Sequence, residues 1–135
     1  MSTRVSTPLD QVADAFVDTI VALSPITATG IGAPGHDHEL DDFSPAGLAE
    51  RAEAARAVLR QVEATEVVDE VDRVTAAAMR ERLGLSVELF EAGEDYADLN
   101  NIASPLQNIR DVFDLMPTAT SDDWEIIAAR MGAVP

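Results

Sequence analysis

Hydroxyl–proline steps at Thr7-Pro8, Ser24-Pro25, Ser44-Pro45 and Ser104-Pro105 constrain this chain more than any other feature. A serine or threonine hydroxyl can accept from an unpaired N–H in the first turn of a helix. Proline at the first helical position gives up only a donor that has no intrahelical partner. Such a step therefore marks a helix start. Apolar residues then recur at three- and four-residue intervals, the spacing of one helix face. After Pro8 they are Leu9, Val12, Phe16, Ile20 and Leu23, with Asp10, Asp14 and Asp18 on another face. After Pro45 they are Leu48, Ala52, Ala55, Leu59 and Val62, with Glu50, Arg51, Glu53, Arg56 and Arg60 on the wet side. This spacing predicts helices over Pro8–Leu23 and from Pro45 through Val62. Between them, a short turn of helix over Pro25–Thr29 should stop at Gly30.

A connector at Ala64–Glu66 leads into a third long helix, predicted over Val67–Phe90. Its first stripe is Val67, Val71, Val74 and Ala78. Beyond Met79, Leu83, Val87 and Phe90 take one side and Leu85 and Leu89 another. Burial on two sides is expected there, and this helix should be the central one. Gly84 costs about 1 kcal/mol against alanine unless a neighbour packs tightly on it. Gly93 stops the helix, and Asp95–Ala103 reads as irregular. From Pro105, residues Leu106, Ile109, Phe113 and Met116 form the buried side of a helix that Pro117 ends. Ser121 caps a last helix with Trp124, Ile127 and Met131 on its apolar side. Residues 1–7 are polar and expected to fray. No period-two pattern supports a strand. The predicted fold is all-α: an irregular antiparallel bundle of about five helices, three of them long, forming a single domain over 1–135.

Charge removes whole classes of function. With 25 acids against 9 bases the chain carries a net charge of −16. Such a surface repels phosphate backbones and anionic headgroups, so neither nucleic acid nor a membrane surface is an expected partner. A mimic of DNA would need a face cleared of cations, but the arginines are spread through the helices. No window approaches the ~20 apolar residues of a membrane span. Asp10, Asp14 and Asp18 break up any leader-like apolar run. Without cysteine there is neither a disulfide framework nor a thiolate metal site. A cytoplasmic protein is expected. Aromatic residues are only 4 %, so alanine and valine must fill the core.

The one long break between helical segments, Gly30–Pro45, gathers the chemistry. It holds both histidines, His36 and His38, beside Asp37, Glu39, Asp41 and Asp42. Two imidazoles two residues apart in an extended loop can point the same way, so His36 and His38 are the candidate metal ligands. Zinc needs three or four ligands, and Asp37, Glu39 or Asp41 would have to complete the set. The competing reading is a solvated turn whose side chains bond nearby backbone groups. His38-Glu39-Leu40-Asp41-Asp42 departs from the His-Glu-x-x-His motif, because its fifth residue is Asp42 and it precedes a helix rather than lying in one. Asp95 and Asp98 flank Tyr96 in what reads as a solvated connector. Phe113 and Trp124 read as core anchors, and Arg110 and Arg130 as structural ion-pair partners. The residues alone assign no catalytic and no cofactor-binding position.

Several short motifs resemble, in order, the N-terminal part of the bacterial family catalogued as domain of unknown function 885. They are Ser24-Pro25 with Ala28-Thr29-Gly30, Gly35-His36-Asp37, and Leu40-Asp41-Asp42-Phe43-Ser44-Pro45. Ile102-Ala103-Ser104-Pro105-Leu106-Gln107, Asp114-Leu115-Met116-Pro117 and the run from Trp124 through Arg130 to Pro135 follow. Members of that family are longer and largely helical. They look like zinc-dependent peptidases with a His-Glu-x-x-Pro-Gly-His type motif in the C-terminal half. Nothing in this chain matches that motif, so the resemblance transfers no catalytic or zinc residue. It implies the N-terminal, non-catalytic helical portion of such a protein, whether a truncation, a proteolytic remnant or a split gene product. That portion would form one wall of a substrate cleft. Zinc and a peptide substrate would belong to the complete protein, and the remainder of that protein would be the partner. The alternative is a stand-alone acidic helical interaction module, a homodimer burying an alanine-rich face.

Overall fold

The computed structural model describes residues 4–134. Among them are six α-helices and no strand, as the periodicity predicts. They are α1 (Pro8–Leu23), α2 (Pro25–Ile31), α3 (Pro45–Ala64), α4 (Glu70–Ala92), α5 (Pro105–Asp111) and α6 (Ser121–Gly132), with 3-10 turns at Glu94–Tyr96 and Val112–Leu115. The helix α1 occupies the predicted range, and α3 starts at Pro45 as predicted and continues to Ala64, the first residue of the expected connector. The helix α2 passes Gly30 and stops at Gly32, whose φ of 76° is left-handed and whose N–H reaches the Thr29 carbonyl at 3.1 Å. Glycine adopts that conformation without a Cβ penalty, which is why it closes the helix.

The helix α4 starts three residues later than the valine run suggests. Asp69 is its N-cap and accepts from the Asp72 N–H at 2.9 Å. A carboxylate at this end meets the unpaired N–H groups and the positive end of the helix dipole. Val67 and Val68 are left exposed before the cap, and Val71 and Val74 are exposed after it. The buried stripe is Asp72, Ala76 and Leu83, with Met79 and Val87 packed beside it. Leu85 and Leu89 are more than 40 % exposed, so α4 is buried along one side, not two. The cap of α6 is Thr120 rather than Ser121. The Asp123 N–H donates to the Thr120 hydroxyl at 3.2 Å and the Thr120 N–H to the Asp123 carboxylate at 2.8 Å.

The chain divides into two compact units. The first takes the chain up to Thr19 together with Leu48–Asp95. Its core is Leu9, Ala55, Val58, Val62, Ala76 and Leu83, from α1, α3 and α4. Small side chains on α3 and α4 allow close helix packing, as the shortage of aromatics requires. Arg56 fixes α3 to the far end of α4: it donates to Glu91 at 2.9 Å and its guanidinium lies 5.8 Å from the centre of the Phe90 ring. The short connector after Ala64 reverses the chain, so α3 and α4 run antiparallel. Arg4, just before α1, bonds Asp69 and Asp72 at the start of α4, which ties the starts of the two helices together.

Arg4 and Thr7 also correct the expectation of a frayed start. Thr7 is buried, and its hydroxyl donates to the fully buried Asp72 at 2.8 Å. Arg4 reaches Asp10 at 2.5 Å, Asp69 at 2.7 Å and Asp72 at 2.5 Å. Residues 1–3, for which fraying was also expected, lie outside the described residues, as does Pro135.

The second unit takes Ile20–Gly47 together with the chain from Tyr96 onward. Here α2 packs on the 3-10 turn Val112–Leu115. Val112, Met116, Ile127 and Ala28 are buried. Leu106, predicted as core, is 67 % exposed, and Trp124 and Met131 are 56 % and 61 % exposed. The reason is register. The buried face of α6 passes through Ile127 to Arg130, three residues on, and carries Trp124 and Met131 toward its edge. No helix among the described residues is long and apolar enough to cross a membrane.

Candidate functional site

The Gly30–Pro45 segment is irregular throughout its middle, and one side chain from the far end of the sequence organises it. Arg130, on the last turn of α6, has no exposed surface. Its Nε donates to the Glu39 carbonyl at 2.8 Å. Its Nη1 donates to the Thr29 hydroxyl at 3.0 Å, and its Nη2 to the carbonyls of His36 at 2.9 Å and Pro25 at 3.2 Å. The planar fork of guanidinium donors suits several oxygens arranged around one edge, which an ammonium could not match. Burial pulls the Arg130 pKa below its ordinary value, and the nearby charges of Asp37, Asp41 and Glu39 oppose that pull. Arg130 was expected to form an ion pair. It instead ties the backbone of the loop to the end of α2.

Loop carboxylates complete the frame. Asp37 accepts from the Thr29 hydroxyl at 3.0 Å, and Thr29 in turn accepts from Arg130. Asp41 accepts from the Ser24 hydroxyl at 2.7 Å and from the Ile26 N–H at 2.9 Å, which secures the start of α2. The Ser44 N–H donates to Asp42 at 2.8 Å ahead of α3. These acids are used to hold backbone and hydroxyl groups in place.

The two histidines share one carboxylate. His36 Nδ1 lies 2.9 Å from Glu39 Oε2, and His38 Nε2 lies 3.6 Å from Glu39 Oε1. The His36 hydrogen bond is the chief cause that holds Glu39 below the usual carboxylate range, with both imidazoles adding Coulombic pull. Among the described residues no group of three or more His, Cys, Asp or Glu side chains is arranged to hold a metal ion. His36 and His38 thus come together, but on Glu39 and not around a common empty centre. The His38–Asp42 segment is non-helical, so its likeness to a zinc-peptidase helix ends at the sequence. The other candidates are simpler. Asp95 and Tyr96 lie in or beside an exposed 3-10 turn with Asp98 exposed after it. Arg110 pairs with Asp111 at 2.8 Å and Asp114 at 2.5 Å, the structural ion pair expected of it.

The second polar centre, around Arg4 and Asp72, went unread in the sequence. Asp72 accepts from Arg4, Thr7 and the Val68 N–H. Arg4 and the Thr7 N–H hold Asp10 and Asp69 below the ordinary carboxylate range. The first cause is the Thr7 backbone for Asp10 and the Arg4 guanidinium for Asp69. Like the Arg130 centre it satisfies buried polar groups.

These features define a helical scaffold in which a polar loop is locked by a buried arginine. A family model matches residues 25–135, and the chain belongs to the family described as bacterial protein of unknown function (DUF885). No curated protein matches the chain. The motifs that carry the resemblance now have physical roles. Ser24, Pro25, Thr29, His36 and Asp41 supply oxygens or caps to the loop frame, and Arg130 supplies the donors. Ser104 and Gln107 form a reciprocal cap on α5, with the Ser104 N–H 3.1 Å from Gln107 Oε1. Asn100 accepts from the Ile102 and Ala103 N–H groups at 2.8 Å each and shapes the approach to it.

Proposed function

We propose that this chain is a non-catalytic helical portion of a metallopeptidase-like protein, and that the loop held by Arg130 is a fixed part of the wall of its peptide cleft. The observation that carries this is the use of the loop's polar groups. The family motifs converge on backbone carbonyls, caps and hydroxyls, and the side chains of Asp37, Asp41 and Asp42 are committed to that frame, while His36 and His38 pair with Glu39 beside it. A rigid, prepaid geometry is what a positioning surface requires. His36, His38 and Glu39 stand on the same loop, with Glu39 and His38 the more exposed. Zinc would be bound elsewhere in the complete protein, and its chemistry would not involve these residues. A fluorogenic peptide assay on the purified 135-residue chain with added zinc tests the proposal. No turnover above buffer is expected, and turnover abolished by His38→Ala would overturn it.

The alternative is an acidic interaction module that acts by itself. The exposed apolar side chains of the second unit, including Leu106, Leu115, Trp124 and Met131, favour it. Sedimentation of the native protein separates the two: a tight homodimer of the 135-residue chain would support the module.

A further inference from the structure

We draw no further inference here: the strongest candidate, the stripe of exposed apolar side chains Val71, Val74, Leu85 and Leu89 along α4, is an unpartnered helix face, and nothing in the structure shows what covers it.

Discussion

Replacing Arg130 by alanine should unfold the second unit's loop and cost the protein a large part of its stability. The guanidinium donates four hydrogen bonds of 2.8–3.2 Å, three of them to backbone carbonyls. A hydrogen bond from a charged donor contributes about 1.5–3 kcal/mol net, and a buried acceptor left without a partner costs about 1–3 kcal/mol. These terms do not add, because they share one side chain and the loop can open to water. Desolvation of the cation, visible in its lowered pKa, offsets part of the gain. Four acceptors lose their donor at once, and with about 1–3 kcal/mol for each that stays out of water and part of the loop reaching water, a loss of about 3–5 kcal/mol is the expectation here. A domain of this size is stable by only about 5–15 kcal/mol, so the change is large. Arg130→Lys keeps the charge but cannot span four oxygens, and about half of the loss should remain. Urea unfolding followed by circular dichroism gives the magnitude. Amide exchange gives the location: the Glu39 N–H, bonded to the His36 carbonyl at 3.1 Å, and the Ala33 N–H, bonded to the Ala28 carbonyl at 2.8 Å, should lose protection first. A stability within 1 kcal/mol of the parent for Arg130→Ala, or full retention by lysine, would refute the reasoning.

Two glycines should respond in opposite directions. A Cβ on Gly84 meets nothing within 4 Å, so Gly84→Ala should stabilise α4 by about 0.5–1 kcal/mol, whereas a Cβ on buried Gly47 would lie 2.6 Å from Asp42 Cβ and collide with the Asp42 carbonyl, so Gly47→Ala should cost about 1–3 kcal/mol; thermal melts decide both. Acid should destabilise the protein through Asp10 and Asp69. Their pKa values are lower folded than unfolded, so their contribution is complete above the unfolded value, near pH 4, and is lost as pH falls through the folded values. Melting temperature measured from pH 6 to pH 2 should drop below pH 4, and Arg4→Ala should flatten that drop; an unchanged profile would exclude Arg4 as its cause. Zinc bound by protein purified without a His tag should be far below stoichiometric and unchanged by His36→Ala, as read by atomic emission.

Helix starts were legible because their causes are local. Ser44-Pro45 and Thr7-Pro8 each put a cap and a donor-free residue at adjacent positions, and α1 and α3 follow from them. The start of α4 was misplaced because Val67, Val71 and Val74 imitate a buried stripe, while the deciding interaction is Asp69 capping the Asp72 N–H. The extra weight of that cap comes from Arg4, 65 residues away in the chain. Leu85, Leu89 and Leu106 show the same limit. Hydropathy marks a residue as apolar, but only the packed helices show whether anything covers it.

The candidate site divides in the same way. From the sequence alone came a helical, strongly acidic chain, a single long polar break at Gly30–Pro45 and the family to which it belongs. All of these rest on composition, on spacing within a turn or two of helix, or on short motifs in order. The role of the break was decided by tertiary structure. Arg130 falls three residues after Ile127 on a buried face, which is the only local sign that it is not a surface arginine. Its partners Glu39, His36, Thr29 and Pro25 lie 91 to 105 residues earlier, beyond any periodic pattern. A buried cation must find oxygens wherever the fold brings them, and here it finds two carbonyls of the Gly30–Pro45 loop and two oxygens of α2.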